Sequence, residues 1–328
     1  MSLLTSWLAG SVPDAAVEIA PDRVSAAVLA LRDGSARVQA YASEPLPAGS
    51  ITASLGARNI ADREAATGAA RVVLGRLGTR AARVALVIPD LAGKVSVVRF
   101  ERVPPRRDDL DQLVRWQIRK SLPFPIEDAC VAYTPGRQGP EGSEFVVVTA
   151  RRDVVGEYES VCAAAGAYAG LVELATFSVL NLTLAAAGQG SSGQALATAG
   201  DWLVVHMRPE YTSIAILRGG ALIFFRNRPE GDEESLTDVV HQTAMYYQDR
   251  LAGQGFRRVL LGGSGRSVGA FDEARQSLEE RLGTRVEPID PTASAALPDR
   301  IGVPPNVQDV LAPLVGTLLR VRHEAVGV

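Results

Sequence analysis

Residues 108–133 read Asp-Asp-Leu-Asp-Gln-Leu-Val-Arg-Trp-Gln-Ile-Arg-Lys-Ser-Leu-Pro-Phe-Pro-Ile-Glu-Asp-Ala-Cys-Val-Ala-Tyr. Asp109 followed three places on by Gln112 is a capping-box pattern, and three acidic residues in the first turn suit the positive end of a helix dipole. Leu110, Leu113, Val114 and Ile118 form one apolar stripe at helical spacing, and Arg119 and Lys120 close the last turn. Pro123 and Pro125 then remove two backbone donors, which forces extended chain before the apolar run 129–133 enters a sheet. The stretch therefore predicts a helix, a rigid proline corner and a strand.

Upstream, 15–19, 24–31 and 36–41 read as strands, the last two joined across Asp33-Gly34, a strong hairpin signal. A helix over about 62–77 ends at Gly78, and 83–88 resumes a strand. Downstream, 94–101, the opening helix, 129–133, 144–150 and a helix over 153–165 make a compact αβ insert, with a Gly/Pro-rich exposed loop at 135–143. A helix over 176–187 follows, and Gly188-Gln189-Gly190-Ser191-Ser192-Gly193 has the composition of a flexible linker.

Beyond the linker the pattern begins again, with strands at 202–207, 211–217 and 221–226. Residues 19–29 align with residues 207–217 at a constant offset of 188, with Pro, acid, Ser, Ala and Leu recurring in register. A helix follows, carrying Leu236, Val239, Val240, Thr243, Ala244, Tyr247 and Leu251 on one face. Then come the strand 259–261 and a turn Gly262-Gly263-Ser264-Gly265 into a further helix. The fold class expected is α/β: duplicated βββαβα lobes of actin-like, ribonuclease-H-like type with an inserted αβ subdomain. The expected organisation is an arm over 1–13, the first part of lobe 1 over 14–92, the insert over 93–165, a closing strand and helix with linker over 166–193, and lobe 2 over 194–328.

The corner Pro123-Phe124-Pro125-Ile126-Glu127-Asp128 resembles the "P-F-P-L-E-E" corner of the type IV pilus assembly protein PilM family, which is actin-like and FtsA-like. The stretch 146–155, Val-Val-Val-Thr-Ala-Arg-Arg-Asp-Val-Val, is similar to that family's strand-to-helix "V-A-A-R-K-E-V-V". Ala164-Ala165-Gly166 and 172–178 follow in the family order. The resemblance implies an adaptor of the inner-membrane pilus machine that binds the short cytoplasmic tail of a PilN-type membrane protein. It places the chain in the cytoplasm at the inner face of the membrane through its partners, and the pilus motor ATPase is a further candidate partner. An active ATP-binding PilM, or the cytoplasmic actin-like component of a type II secretion-like assembly, are the alternatives. An extended tail needs a concave wall, and Leu122, Pro123, Phe124, Pro125 and Ile126 are the candidate partner-binding residues, with Phe124 as a core plug the competing reading.

In the actin superfamily, Asp-x-Gly hairpin turns bring backbone N–H groups to the phosphates of ATP between the lobes. Here the first turn reads Glu18-Ile19-Ala20-Pro21-Asp22 and the second His206-Met207-Arg208-Pro209-Glu210. Proline removes a donor, and each carboxylate repels phosphate by roughly 4 kcal/mol at 4 Å and an effective dielectric of 20. These departures from the pattern imply weak or lost ATP binding, with ATP and Mg²⁺ left open as cofactors and enzymatic activity not expected. If a nucleotide site is retained, Glu18, Ser25, Arg208, Ser213, Gly262, Gly263, Ser264 and Gly265 are its candidates. The passage 228–257 holds one helix where PilM proteins carry an additional helical subdomain, so lobe 2 is expected to be reduced.

Composition narrows the remaining classes. The chain has 328 residues, 47% of them hydrophobic, and a net charge of −3, which offers no basic field for nucleic acid. Cys130 and Cys162 sit in apolar patterns, and three histidines give no metal-ligand spacing. No apolar run approaches the roughly 20 residues that span a bilayer, so a soluble protein is expected. Met1 to Val12, with Leu3, Leu4, Trp7 and Leu8, lacks the basic region of a signal peptide and is expected to be a packed or frayed arm. His206, His241 and His323 have no nucleophile partner in a recognisable constellation.

Overall fold

Four small or apolar residues around one acid make β1 (Ala15–Ile19) a strand buried along its whole length, and two sheets are built from such centres. A computed structural model describes residues 13, 15–32, 35–78, 82–188, 200–231, 235–263, 269–297 and 305–326. The arm before Pro13, the Asp33-Gly34 turn, Ser264, Gly265 and most of the Gly/Ser linker lie outside the described residues.

Lobe 1 pairs β1 with β2 (Arg23–Arg32), which pairs with β3 (Ser35–Pro45); on its other side β1 runs parallel to β4 (Arg83–Ile88), and β4 to β8 (Tyr168–Leu174). The order is β3-β2-β1-β4-β8. The second sheet repeats it: β11 (Ala221–Pro229), β10 (Tyr211–Arg218), β9 (Asp201–Arg208), β12 (Phe256–Gly263) and β13 (Val286–Pro288). The repeat holds to the residue. Glu18 faces Ser25 across the first hairpin as His206 faces Ser213 across the second. Glu18 stands beside Val87 in the parallel pair as His206 stands beside Gly262.

The insert is a three-stranded sheet, β5 (Gly93–Phe100), β7 (Gly142–Arg151) and β6 (Ala129–Gly139) in the order β5-β7-β6, with α2 (Arg107–Ile118) over it. Val114 and Ile118 of α2 meet Phe100, Phe145 and Val147 in its core. Three details depart from the sequence reading. Arg106, in extended conformation, precedes α2 with no side-chain cap, so Asp109 lies inside the first turn rather than capping it, and Asp111 instead accepts from the Tyr133 hydroxyl. The β6–β7 hairpin pairs nearly to its tip, Gly139 opposite Gly142, because a bulge near Pro135 absorbs the proline. The helix grouped with the insert, α3 (Arg152–Ala164), sends Val154, Tyr158, Val161 and Cys162 into the core of lobe 1 beside α1 (Arg63–Arg76), so by packing it belongs to that lobe.

Two helices fill the space between the sheets: α4 (Ala175–Gly188) and α7 (Pro305–Val326), the latter absent from the sequence reading. They join Ala16, Ala27 and Leu29 of lobe 1 to Trp202, Val204 and Ala215 of lobe 2 in one core. Gly316 allows their close approach, since a Cβ there would lie 1.8 Å from the Ser178 carbonyl oxygen. Beside this contact Glu173 accepts from Ser178 and Asn181, both at 3.0 Å, and from Thr317 and Arg320. The outer face of sheet two carries α5 (Leu236–Arg250) and α6 (Ala270–Leu282). Between 228 and 257, α5 is the one helix among the described residues. No helix of the described residues is long and apolar enough to cross a membrane.

Candidate functional site

The two pseudo-equivalent hairpin turns meet where the lobes face each other. Arg208, at the end of β9, approaches Glu18 of β1 at 3.2 Å, with both side chains nearly inaccessible, at 1% and 2%. Arg23 stands 3.7 Å from the other Glu18 oxygen and donates to Asp22 at 2.8 Å. Burial works against the charge on Arg208, but Glu18, Tyr211, Asp22 and Glu210 together outweigh it and hold the guanidinium protonated. The Arg208–Glu18 approach lacks hydrogen-bond alignment. Both terminal nitrogens of Arg208, together with one oxygen each of Glu18, Asp22 and Glu210, are buried without a hydrogen-bond partner. Burial and then the neighbouring Asp22 raise the Glu210 carboxyl above its usual range.

Behind this ionic layer lies a hydrogen-bonded one centred on Asp90, which follows β4 and is fully buried. Its carboxylate accepts from Ser213 Oγ at 2.6 Å, from the Thr176 amide at 3.0 Å and from the Thr176 hydroxyl. The Thr176 hydroxyl, having donated to Asp90, is left to accept from His206 Nδ1 at 2.8 Å, which places the histidine proton on Nδ1. Burial pushes His206 well below the ordinary histidine range, with Arg208 and Arg23 adding to it, so the ring is neutral. Burial likewise raises the Asp90 carboxyl against its hydrogen bonds from Ser213 and Thr176. The Asp90 amide donates to the Tyr211 hydroxyl at 3.3 Å, and its carbonyl accepts from Asn227 Nδ2 of β11 at 2.9 Å.

Of the candidate nucleotide residues, the structure brings Glu18 and Arg208 together as a pair and places Ser213 in the Asp90 network. Ser25 is apart: its hydroxyl meets Ser43 at 3.0 Å inside the sheet of lobe 1. Gly262 and Gly263 end β12, where a Cβ on Gly263 would lie 1.8 Å from the Met207 carbonyl oxygen and φ is +90°. Glycine is therefore required there by the close passage of β9, whatever else the turn does. Asp90, Thr176, His206 and Tyr211 were missed as site residues. The available signal was Asp90 itself, a carboxylate directly after the apolar run 84–88 and Pro89.

The fold implies a magnesium-bound nucleoside triphosphate at this place, and the residues present do not fit one. Two guanidiniums face three carboxylates, the turns offer proline where phosphate takes a backbone donor, and Arg208 is committed to Glu18. Among the described residues no group of His, Cys, Asp or Glu could hold a metal ion.

A second feature opens on the side of the insert. A cleft of about 530 Å³ is lined by Leu55 and Leu91 of lobe 1, Lys94 and Val95 of β5, and Phe225 and Asn227 of β11. Its rim is tied to the proline corner. Lys94 donates to the Ser121 carbonyl, Pro123 packs 3.7 Å from the Cβ position of Gly56, and Arg151 donates to the Gly56 carbonyl. Leu122 and Pro125 are extended, with ψ of 142° and 141°, as the prolines demand. The chain then makes a short 3-10 turn, Ile126–Asp128, rather than running straight into β6. Leu122 and Phe124 are half-buried and belong to none of the four hydrophobic cores, whereas Ile126 packs on the core of the insert. Phe124 is thus not a core plug, and Ile126 is committed inward.

Paired sheets of identical order, with their interleaved helices and facing hairpin turns, define an actin-like protein. Residues 16–254 match the model of the type IV pilus assembly protein PilM family, and the chain belongs to that family. Among solved structures, a PilM–PilN type IV pilus biogenesis complex aligns with TM-score 0.78 at 18% identity, covering 94% of this chain and 98% of that one. The cytoplasmic domain of EpsL, an inner-membrane component of the Vibrio cholerae type II secretion system, aligns with TM-score 0.48 at 12% identity, covering 96% and 94%. A Bacteroides thetaiotaomicron protein with an actin-like ATPase fold aligns with TM-score 0.47 at 10% identity, covering 90% and 95%.

Proposed function

We propose that this chain is a nucleotide-independent actin-like adaptor of the type IV pilus inner-membrane machinery, acting on the cytoplasmic face of the membrane by holding the N-terminal tail of a PilN-type protein. The observation that carries the reading is the cleft next to the proline corner, where the lining residue Lys94 donates to the Ser121 carbonyl just ahead of Leu122. It is concave and mixes apolar walls with Lys94, Arg226 and Asn227, and the extended corner beyond its rim is rigid before binding. A wall already fixed by two prolines loses little entropy when an extended peptide docks against it. That a relative in this family forms a complex with PilN supports the choice of partner. Leu122 and Phe124 are the apolar side chains offered from the corner, Pro123 and Pro125 its exposed ridge; Ile126 acts only by anchoring it. The test is calorimetry with a synthetic PilN-type N-terminal peptide against the wild type and Phe124→Glu. Saturable binding lost in the variant supports the reading; no binding to the wild type contradicts it.

One observation favours a second reading, an active ATP-binding PilM. The partnerless nitrogens of Arg208 and Arg23 would find acceptors in phosphate oxygens. Three carboxylates in the same place weigh against it, and a Mg-ATP titration separates the two.

A further inference from the structure

The hydrogen-bonded layer behind the inter-lobe charge pair shares a wall with the cleft. Asn227 lines the cleft and donates to the Asp90 carbonyl, while the Asp90 carboxylate takes Ser213 of lobe 2 and Thr176 of α4. Phe225, Asn227 and Pro229 of lobe 2 form one side of the cleft, and Leu55, Leu91 and Val95 of lobe 1 and the insert form the other. The width of the cleft is therefore set by how the lobes close on each other. In a fold whose halves meet around a ligand, closure is ordinarily set by that ligand; here Glu18 and Arg208, nine-tenths buried or more, occupy the meeting point themselves.

We propose that the Glu18–Arg208 pair, with the Asp90 network behind it, is an internal substitute for the ligand: a latch that fixes lobe closure and thereby holds the cleft in its binding shape. The pair is a positioning element, remote from the occupant of the cleft. A latch built from protein side chains has no off state tied to nucleotide, so the adaptor keeps one shape throughout. The identity of the occupant rests on the proposed function; the latch itself does not.

Two readings of the same variants keep these apart. Spin labels at Glu64→Cys of α1 and Asp272→Cys of α6, both exposed, on a Cys130→Ser background, report the separation of the lobes without any peptide. The wild type should give one narrow distance, unchanged by Mg-ATP. Arg208→Gln should broaden or lengthen it while melting remains cooperative, and Arg208→Lys, which keeps the charge, should restore it. Affinity for the PilN-type peptide should fall at least tenfold in Arg208→Gln and return in Arg208→Lys, although neither touches the cleft. If Arg208→Gln does not fold, Glu18→Gln, which keeps volume and removes one charge, takes its place in both measurements. A narrow, unshifted distance in a folded variant overturns the latch. A broadened distance with affinity within twofold of wild type overturns its coupling to the cleft. Absence of peptide binding to the wild type overturns the proposed function and leaves the distance measurement to decide the latch.

Discussion

The β1–β2 and β9–β10 turns share backbone, register and proline, and differ in the side chains that face across the lobes. Ala20, Glu18 and Arg23 in the first stand where Arg208, His206 and Tyr211 stand in the second, at the offset of 188. Had the second turn copied the first, Glu18 would face an alanine, the counterpart of Ala20, where Arg208 now stands. The divergence makes the two turns complementary: lobe 1 supplies Glu18, lobe 2 supplies Arg208, and His206 becomes a neutral partner for Thr176. The repeated backbone is the scaffold, and the unequal side chains are what bring the two turns into contact.

The most damaging way to break the complementarity is to remove one member. Arg208→Met leaves the buried Glu18 with Arg23, 3.7 Å from its other oxygen, as its remaining cationic neighbour, which should cost up to about 3–5 kcal/mol in urea melts. Adding Glu18→Leu should recover most of that loss, because two apolar groups of similar volume replace the pair. A single variant as stable as wild type would show that the pair contributes nothing to the contact.

The parallel strands beside the turns give the next comparison. Val87 and Ile88 stand in lobe 1 where Gly262 and Gly263 stand in lobe 2. Gly263→Ala meets the Met207 carbonyl and an unfavourable φ, and should cost on the order of 2–3 kcal/mol in the same melts. An innocuous alanine would mean that β9 passes less closely than the structure has it.

His206 should also give the contact between the lobes a response to acid. Because the folded-state pKa of His206 lies below the unfolded value of about 6.5, the unfolded chain binds the extra proton. The His206 contribution is thus complete above pH 6.5 and is lost below it, at up to about 1.4 kcal/mol per pH unit. Asp90 acts in the opposite sense, its raised pKa letting the folded chain bind its proton first on acidification. Subtracting the profile of His206→Asn from that of wild type between pH 7 and 5 isolates the histidine. A flat difference would deny its neutral burial.

The smallest stability effect belongs to the corner. Phe124→Glu should change stability by less than about 1 kcal/mol, since Phe124 lies outside every core, while abolishing peptide binding. Arg137→Glu, exposed on β6, serves as the control and should alter neither.

How much of this was legible depended on how local the cause was. The apolar runs of β1 and β4, the stripe of α2 and the two prolines carry their structure within a few residues, so the duplicated sheets and the corner could be read directly. The Asp109 capping box failed because Asp109 sits one turn too deep, with Arg106 preceding the helix and Asp111 drawn to Tyr133. Helix α3 was grouped by order along the chain, yet its apolar face points to lobe 1, which periodicity alone does not reveal. The Glu18–Arg208 pair and the Asp90–Thr176–His206 network join residues far apart in sequence. They exist only once the two sheets have docked, and the sequence held their residue types but not their meeting.

A calorimetric titration with Mg-ATP tests most directly the claim that side chains have taken the place of nucleotide between the lobes. The charge set around Arg208 predicts no saturable binding at micromolar concentrations and no shift of the melting temperature at millimolar ATP. Saturable micromolar binding, with the Glu18–Arg208 contact opened to admit phosphate, would contradict it.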